Sequence, residues 1–386
     1  MNTTDQPRAA RPLQNGPQCS PNLRVATFED YEAIAALLRR NGLQMATYED
    51  WKEKFTANPV YREVSGDWPI GWVLESDSGG VVGALGNIPT SYRLGSRSLL
   101  AATAGDWAVD EAYRAYSLML LQRLTKQPNA DLLLCTTVSA NSERGYRAFD
   151  WSKVPVGKWN KSSFWITNYT KFAKNLLRIR RAPLAGALAY PIAGVLFLRE
   201  RFTDSEESKL SGPMPEVELR HEFDDGFDVF WNLYASEKSE MLLAVRTREM
   251  LTWHYRRALK ARSLWIVTAS RNGCMVGYGV ADRSDSADGS VKRTRILDLP
   301  ILKGHEDVAA RILASIIHKC RQDGIELLEN TGCWLEGQRN LPITAPSHRT
   351  LPSWTFYYKV PDAQLNERLR DASVWGPTSF DGDASI

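Results

Sequence analysis

Apolar and polar positions follow one plan through the first half of the chain. A strand near residue 23 precedes an amphipathic helix whose apolar positions Ile34, Leu37 and Leu38 recur at helical spacing. Two apolar runs around a Ser-Asp-Ser-Gly-Gly turn at 76–80 then predict a hairpin. Further runs predict a strand, a helix, a strand, a short helix and a strand. Strands followed by alternating helices and strands predict one mixed sheet with helices on its faces.

The second half of the chain repeats this plan. Its hairpin turns at Asn272-Gly273, a strong hairpin signal, and Trp72-Val73-Leu74 of the first hairpin matches Trp265-Ile266-Val267 of the second. We therefore expect an α/β (α+β mixed) protein with two similar domains, each a mixed, mostly antiparallel sheet flanked by helices. The expected division is a disordered tail at 1–22, domains at 23–165 and 215–360, a helical apolar linker at 166–214 and a C-terminal tail at 361–386.

The linker contains an uncharged segment, 182–198, with basic residues on both sides. As a helix it would span roughly 25 Å, less than the ~30 Å of a bilayer core. Pro191 near its middle predicts a kink or a break. We expect a helical linker buried between the two domains, and a peripheral membrane contact through 178–201 is the alternative.

Composition and charge narrow the class of protein. The 386 residues suit two to three domains, and 48 Lys and Arg against 45 Asp and Glu leave a net charge of +3, without the basic bias of nucleic-acid binders. Five cysteines form no CxxC or Cys/His cluster, so we expect no metal site and no disulfide framework. The N-terminal residues contain no apolar secretory core, and we expect a cytoplasmic protein.

The run from Trp107 to Met119 carries the first sign of chemistry. Together with the order of elements it resembles the GNAT superfamily of acyl-CoA-dependent N-acyltransferases, since Val109, Tyr113 and Arg114 fit the family's Val-x-x-x-Tyr-Arg frame. Backbone N–H groups at a helix N-terminus bind diphosphate when small side chains let it approach. The resemblance implies acyl-CoA, such as acetyl-CoA, as co-substrate. It implies donor contacts from Trp107, Ala108, Val109, Arg114, Ala115, Tyr116, Ser117 and Asn141.

The loop departs from the family pattern. Ser117 stands where glycine is usual, and Tyr116 and Met119 are bulky. An acyl carrier protein or an aminoacyl donor therefore stays open as the alternative to CoA.

The resemblance also implies two catalytic residues. Tyr146 lies five residues before Trp151, the spacing of the family's tyrosine that protonates the leaving thiolate. Asp106 is the only acid in its strand and is the candidate base that deprotonates the amine. No histidine precedes His221, so a histidine base would come from the second domain.

The second half lacks a comparable donor loop. Glu306 and Asp307 stand where phosphate would bind, and two carboxylates repel a diphosphate. We expect this degenerate copy to shape the acceptor cleft or to form a homodimer, with Asp298 in a structural role. We expect Asp381-Gly382-Asp383 near the end to be a packed or solvated tail, too poor in carboxylates for calcium.

The combined hypothesis is an N-acyltransferase that moves an acyl group from acyl-CoA to a small-molecule amine. By resemblance the acceptor is an amino sugar or nucleotide sugar of bacterial polysaccharide metabolism. A FemABX-like aminoacyl transferase and a non-catalytic binding protein are the alternatives. A net charge of +3 speaks against a tRNA substrate, and we expect no nucleic-acid partner.

Overall fold

The computed structural model describes most of the chain. The described residues are 20–64, 66, 68–179, 185–203, 215–286, 289–337, 343, 345–351 and 353–386. The tail predicted for residues 1–22 falls outside this part of the chain, apart from its last three residues. The first strand begins one residue before the predicted position, at Asn22.

The elements follow the predicted alternation of strands and helices. The strands are β1 (Asn22–Val25), β2 (Gly71–Glu75), β3 (Val81–Leu94), β4 (Arg97–Val109), β5 (Leu132–Ser139), β6 (Ser152–Lys153), β7 (Lys161–Ile166), β8 (Glu216–Arg220), β9 (Leu242–Ala244), β10 (Leu264–Arg271), β11 (Cys274–Arg283), β12 (Arg293–Asp298), β13 (Leu327–Thr331), β14 (Ser347–Thr350) and β15 (Ser353–Lys359). The helices are α1 (Tyr31–Arg40), α2 (Tyr48–Thr56), α3 (Pro59–Val64), α4 (Ser117–Thr125), α5 (Glu143–Ala148), α6 (Tyr169–Ile179), α7 (Ala185–Thr203), α8 (Gly226–Glu237), α9 (Arg248–His254), α10 (Arg256–Lys260), α11 (Val308–Gln322), α12 (Trp334–Gly337) and α13 (Ala363–Arg368).

The strands form two sheets with the same order and the same directions. The first runs β1-β2-β3-β4-β5-β15-β6, with β9 added to β3, and the second runs β8-β10-β11-β12-β13-β7-β14. In each sheet one central pair is parallel, β4 with β5 and β12 with β13, while the other pairs are antiparallel. The predicted fold class, two mixed and mostly antiparallel sheets flanked by helices, is confirmed.

Each sheet is completed by a strand from the other half of the chain. Strand β7 pairs with β13 in the second sheet, and β15 pairs with β5 in the first. One hydrophobic cluster therefore contains Leu134 of β5, Phe356 of β15 and Ile296 of β12. The segments 23–165 and 215–360 are interleaved, and their boundaries as a division of the sequence stay a prediction.

Helices α6 and α7 pack against each other, with Ala173, Ala189 and Ala193 buried between them. The chain stays helical through Pro191 in α7, where we expected a kink or a break. The expectation that this segment is buried is wrong for one face of α7. Its exposed apolar side chains are Leu188, Tyr190, Val195 and Phe197.

Exposed apolar side chains of this kind support the peripheral membrane contact, which stays a prediction. Within the part of the chain described above, none of the helices has the length and apolar character that crossing a bilayer requires.

Candidate functional site

Strands β4 and β5 diverge and leave a wedge-shaped opening in the first sheet. They pair only where Ala101–Thr103 faces Leu132–Leu134. Beyond these residues, β4 and β5 form no backbone pairs in the described part of the chain. A β-bulge lies in the same part of β4, where the register with β3 shifts and Asp106 takes a φ of 49°. Because a bulge bends its strand and redirects its side chains, it turns β4 away from β5.

The predicted residues of β4 face opposite sides of the sheet. Ala108 packs in the cluster with α1 and α2, and Asp106 accepts a hydrogen bond from Lys54 Nζ of α2 at 2.7 Å. Trp107 and Val109 pack on the other side, in the cluster with α4 and α5. The opening therefore has one face toward α2 and another toward the predicted donor loop.

The predicted donor loop forms a 3₁₀ helix (Glu111–Tyr116) that leads into α4 at Ser117. The Arg114 side chain is 67% exposed and lies 4.0 Å from Glu111, and Ala115 is exposed. Asn141 is also exposed, in the turn two residues before α5 begins. Since β4 and β5 are parallel, their carboxyl ends place this loop and Asn141 at one edge of the sheet.

Tyr146 lies in the wall of the opening, fully buried. Its ring stacks on Tyr357 at 5.4 Å and meets the edge of Trp107 at 5.8 Å, and its hydroxyl donates to Cys135 Sγ at 3.1 Å. Burial raises the pKa of Tyr146 well above its ordinary value, and raises that of Cys135 to about 12. Both groups therefore hold their protons at neutral pH, and the Tyr146 hydroxyl can act as a donor.

The C-terminal tail, expected to be merely packed or solvated, enters this opening. Gly382 has a φ of 82°, and a Cβ at this position would lie 2.3 Å from Thr136 Cγ2 on β5, so only glycine fits. The next residue, Asp383, accepts a hydrogen bond from the Thr136 hydroxyl at 3.3 Å. A Cβ on Gly105 of β4 would lie 3.5 Å from the Asp383 carboxylate. Asp383 thus lies between the two diverging strands.

Asp383 has the electrostatics of a base that works near neutral pH. Burial, followed by the negative charge of Asp106, raises its pKa to about 6, while Lys54 opposes the rise. A carboxylate with a pKa near the working pH is an efficient proton acceptor. The sequence contained no sign of this role, because Asp383 stands in a short polar tail.

A buried ionic cluster anchors the tail to both sheets. Arg246 donates to Asp298 at 2.7 Å and lies 4.0 Å from Asp381. Asp381 also accepts from the Tyr92 hydroxyl of β3 at 2.9 Å, and the Thr378 hydroxyl donates to Asp298. Asp298 therefore holds the tail. Burial raises the pKa of Asp381, and the nearby Arg246 opposes the rise.

One histidine of the second half reaches the tail. His254 Nε2 lies 2.7 Å from the Ser385 hydroxyl, and its ring packs on Phe380. Burial, with the charges of Arg256 and Arg246, holds the pKa of His254 well below its ordinary value. A neutral His254 therefore holds the tail at Ser385, two residues after Asp383.

The second sheet has a cavity of about 620 Å³ at the corresponding edge. Trp159, Trp334 and Trp375 line it, and Glu306 stands near the start of α11. A glutamate at this position disfavours a diphosphate. That the second copy binds no CoA stays a prediction.

Three potential metal ligands lie beside this cavity. Atoms of Cys333, Glu336 and His348 lie within 4.8 Å of one another. Glu336 is already paired with Lys158 at 3.2 Å and with His348 at 2.6 Å, which accounts for the arrangement without an ion.

Comparisons with known proteins bear on the fold. No family model and no curated protein matches the sequence. Among solved structures, N-myristoyltransferase from Saccharomyces cerevisiae with bound myristoyl-CoA has a TM-score of 0.52 at 11% identity, covering 99% of this chain and 87% of that chain. A GCN5-related N-acetyltransferase from Kribbella flavida has a TM-score of 0.52 at 12% identity, covering 89% and 72%. A probable N-acyltransferase of unknown function from Enterococcus faecalis V583 has 0.51 at 12%, covering 89% and 72%.

These matches cover most of both chains, and at such low identity they show the fold. The chain therefore has the GNAT fold.

Proposed function

We propose that the protein transfers an acyl group from acyl-CoA to the amine of a small acceptor. The position of Asp383 carries this proposal, because it puts a carboxylate with a raised pKa between the diverging strands of a GNAT sheet. Release of free CoA from acetyl-CoA or a longer acyl-CoA, measured with a thiol reagent in the presence of amines, tests it. Release that no amine stimulates, with any donor, would reject it.

In the proposed reaction the neutral amine nitrogen of the acceptor forms a bond to the thioester carbon, and Asp383 accepts the proton that this nitrogen loses as the bond forms. Backbone N–H groups around 107–109 stabilise the oxyanion. The C–S bond breaks and CoA leaves as a thiolate. Tyr146 supplies the proton that this thiolate takes up, as the resemblance implies, and the cycle closes when Asp383 releases its proton to water and Tyr146 regains one from water.

We assign the base role expected for Asp106 to Asp383. Asp106 is ion-paired with Lys54 at 2.7 Å, so its carboxylate already has a partner. Its negative charge instead raises the pKa of Asp383. Asp106 is then a positioning residue.

The choice of CoA as donor rests on two supports. The loop at 111–117 is open to solvent at the carboxyl edge of β4, with Arg114 exposed for contact with phosphate. The yeast protein of the same fold was solved with myristoyl-CoA. The aminoacyl donor of a FemABX-like enzyme remains the second candidate, and an amino sugar or nucleotide sugar remains the proposed acceptor.

Arg114→Glu is expected to weaken CoA binding about 10-fold, because it replaces an attractive charge at the diphosphate by a repulsive one. Titration calorimetry of the full chain with CoA measures this. Arg123→Glu, at the other end of α4 and also exposed, is the matched control and should leave the affinity unchanged. Equal affinities of wild type and Arg114→Glu would remove Arg114 from the donor site.

Tyr146→Phe is expected to lower kcat about 10- to 100-fold, since it removes the proposed acid while keeping the stacked ring. Steady-state CoA release measures kcat. Cys135→Ala, which removes the partner of the hydroxyl and leaves the acid in place, is the control for lost packing. Unchanged turnover in Tyr146→Phe would end the assignment of Tyr146 as the acid.

A further inference from the structure

A second cavity, of about 530 Å³, lies beside the tail. It is bounded by α2, by α9 and α10, by β11 and β12, and by residues 384–386. Its volume is within the range of small-molecule sites. Its lining is largely polar and charged, unlike the aromatic cavity at the second sheet.

Arg295 of β12 lines this cavity without a charge partner. No carboxylate in the described part of the chain lies within 4.0 Å of its guanidinium, and its Nε is buried without a hydrogen bond. Arg293, two residues earlier on the same strand, is paired with Glu329 at 2.9 Å. Burial lowers the pKa of Arg295, as expected for a cation held away from solvent.

The nearest acids bind other groups. Asp282 stands directly opposite Arg295 in the β11–β12 register but accepts a hydrogen bond from the Ser263 hydroxyl at 2.5 Å. Burial raises the pKa of Asp282, and the charges of Arg295 and Arg257 oppose the rise. Glu329 is bound by Arg293 and Arg349. Asp282 and Glu329 therefore attract Arg295 without forming a salt bridge with it, and the Arg295 guanidinium lines the cavity.

The opposite wall of the cavity adds further cations. Arg257 and Lys260 of α10 line it, each 3.9 Å from Asp50 of α2. The hydroxyl of Ser284 belongs to the same lining and can donate a hydrogen bond to an anion, whereas the Ser385 hydroxyl already donates to the Ser379 carbonyl. Three basic side chains thus meet around one space, beside the carboxylates of Asp50, Asp282 and Glu53, and Glu53 is paired with Lys260.

The cavity adjoins the proposed reaction centre. Asp50 lies one helical turn, about 6 Å, from Lys54, the partner of Asp106. Residue 384 in the cavity wall directly follows Asp383. The cavity wall and Asp383 are therefore adjacent along the tail.

We propose that this cavity binds the acceptor through an anionic group, a carboxylate or a phosphate, and that Arg295 is the counter-charge of this group. The inference rests on the proposed function for the acceptor's identity, because the amine is the end that reaches Asp383. It narrows the acceptor to an amine with a carboxylate or phosphate at its far end.

The experiment compares the full-length wild type with Arg295→Met. Thermal stability is measured with inorganic phosphate or acetate in the absence of acyl-CoA, and CoA release is measured with glucosamine 6-phosphate, 4-aminobutanoate and neutral glucosamine. The wild type should be stabilised by one of the two anions and should prefer the amine that carries it. Arg295→Met should lose this stabilisation and raise KM for the charged amine at least about 10-fold, with KM for acyl-CoA unchanged.

Two further variants complete the design. Arg311→Met, which removes another arginine whose Nε is buried without a partner, lies outside the cavity lining and should behave as the wild type. If Arg295→Met does not fold, Arg257→Met, with its side chain 51% exposed, tests the same cavity and should raise KM about threefold.

The two proposals fail separately. Stabilisation by an anion that depends on Arg295, without any acyl transfer, would reject the proposed function and keep the anion site. The anion site alone would be rejected by a different result: transfer to glucosamine and to the charged amines occurs, the KM values of wild type and Arg295→Met are equal, and neither anion stabilises the protein.

Discussion

Replacing Asp383 by asparagine is expected to lower kcat at least about 100-fold, because it removes the proposed base and keeps its shape. The pH profile carries the sharper expectation. Because the pKa of Asp383 is about 6, the rate of the wild type should increase as the pH rises through about 6. This increase should be absent in Asp383→Asn. Initial rates of CoA release between pH about 5 and about 9 measure both effects.

The same substitution has a defined effect on stability. The folded-state pKa of about 6 lies above the ordinary 3.8, so the folded protein binds this proton more tightly than the unfolded chain. The stability that this proton adds to the folded wild type is fully present below pH about 4 and is lost as the pH rises through about 6. The free energy of unfolding of Asp383→Asn, relative to wild type, should therefore increase across this window.

Asp106→Asn is the control that separates the two carboxylates. Without the negative charge of Asp106, the pKa of Asp383 should fall, and the rising limb of the pH profile should move to lower pH. Activity should decrease less than in Asp383→Asn. If Asp106→Asn instead shows the large loss of activity expected for Asp383→Asn, and Asp383→Asn keeps most of the wild-type activity, the base is Asp106.

Arg246→Ala is expected to lower the free energy of unfolding by about 3–5 kcal/mol, because it leaves two buried carboxylates without their counter-charge. Arg246 is buried, bonded to Asp298 at 2.7 Å and near Asp381, and its guanidinium lies 4.7 Å from the Phe380 ring. Because these residues anchor the tail, Asp383 should lose its position and turnover should fall with stability. Urea unfolding and CoA release measure the two effects.

Arg368→Ala is the matched control for this prediction. Arg368 is paired with Glu240 at 2.7 Å on the surface, with both side chains exposed. Exposed ion pairs contribute less than about 1 kcal/mol, so both stability and activity should stay close to the wild type. A similarly small effect of Arg246→Ala would show that the tail does not depend on the buried cluster.

Local patterns predicted much of the secondary structure. The turn at 76–80 and the Asn272-Gly273 turn both stand between paired antiparallel strands, β2 with β3 and β10 with β11. The predicted helix with Ile34 and Leu37 is present and ends at Arg40, directly before Asn41-Gly42. These features could be predicted because periodicity and turn chemistry act between residues close in sequence.

Exchange of β7 and β15 between the sheets could not be predicted in this way. Each strand has the same apolar pattern whichever sheet it joins, so local sequence does not distinguish the partners. The choice depends on how the connections run in three dimensions. The exposed face of α7 could not be predicted for a related reason. An apolar helix sequence does not show whether another part of the protein packs against the helix.

The candidate site likewise contains some residues that local sequence predicted and others that it did not. The sequence by itself determined the strand with Asp106, the loop with Arg114 and the helix with Tyr146, because their patterns are local. Only the tertiary structure placed Asp383 beside Thr136, from which it is 247 residues distant in sequence, and left Arg295 facing a cavity without a partner. Burial and neighbouring charge set the chemistry of these two groups, and both arise only when distant segments pack together.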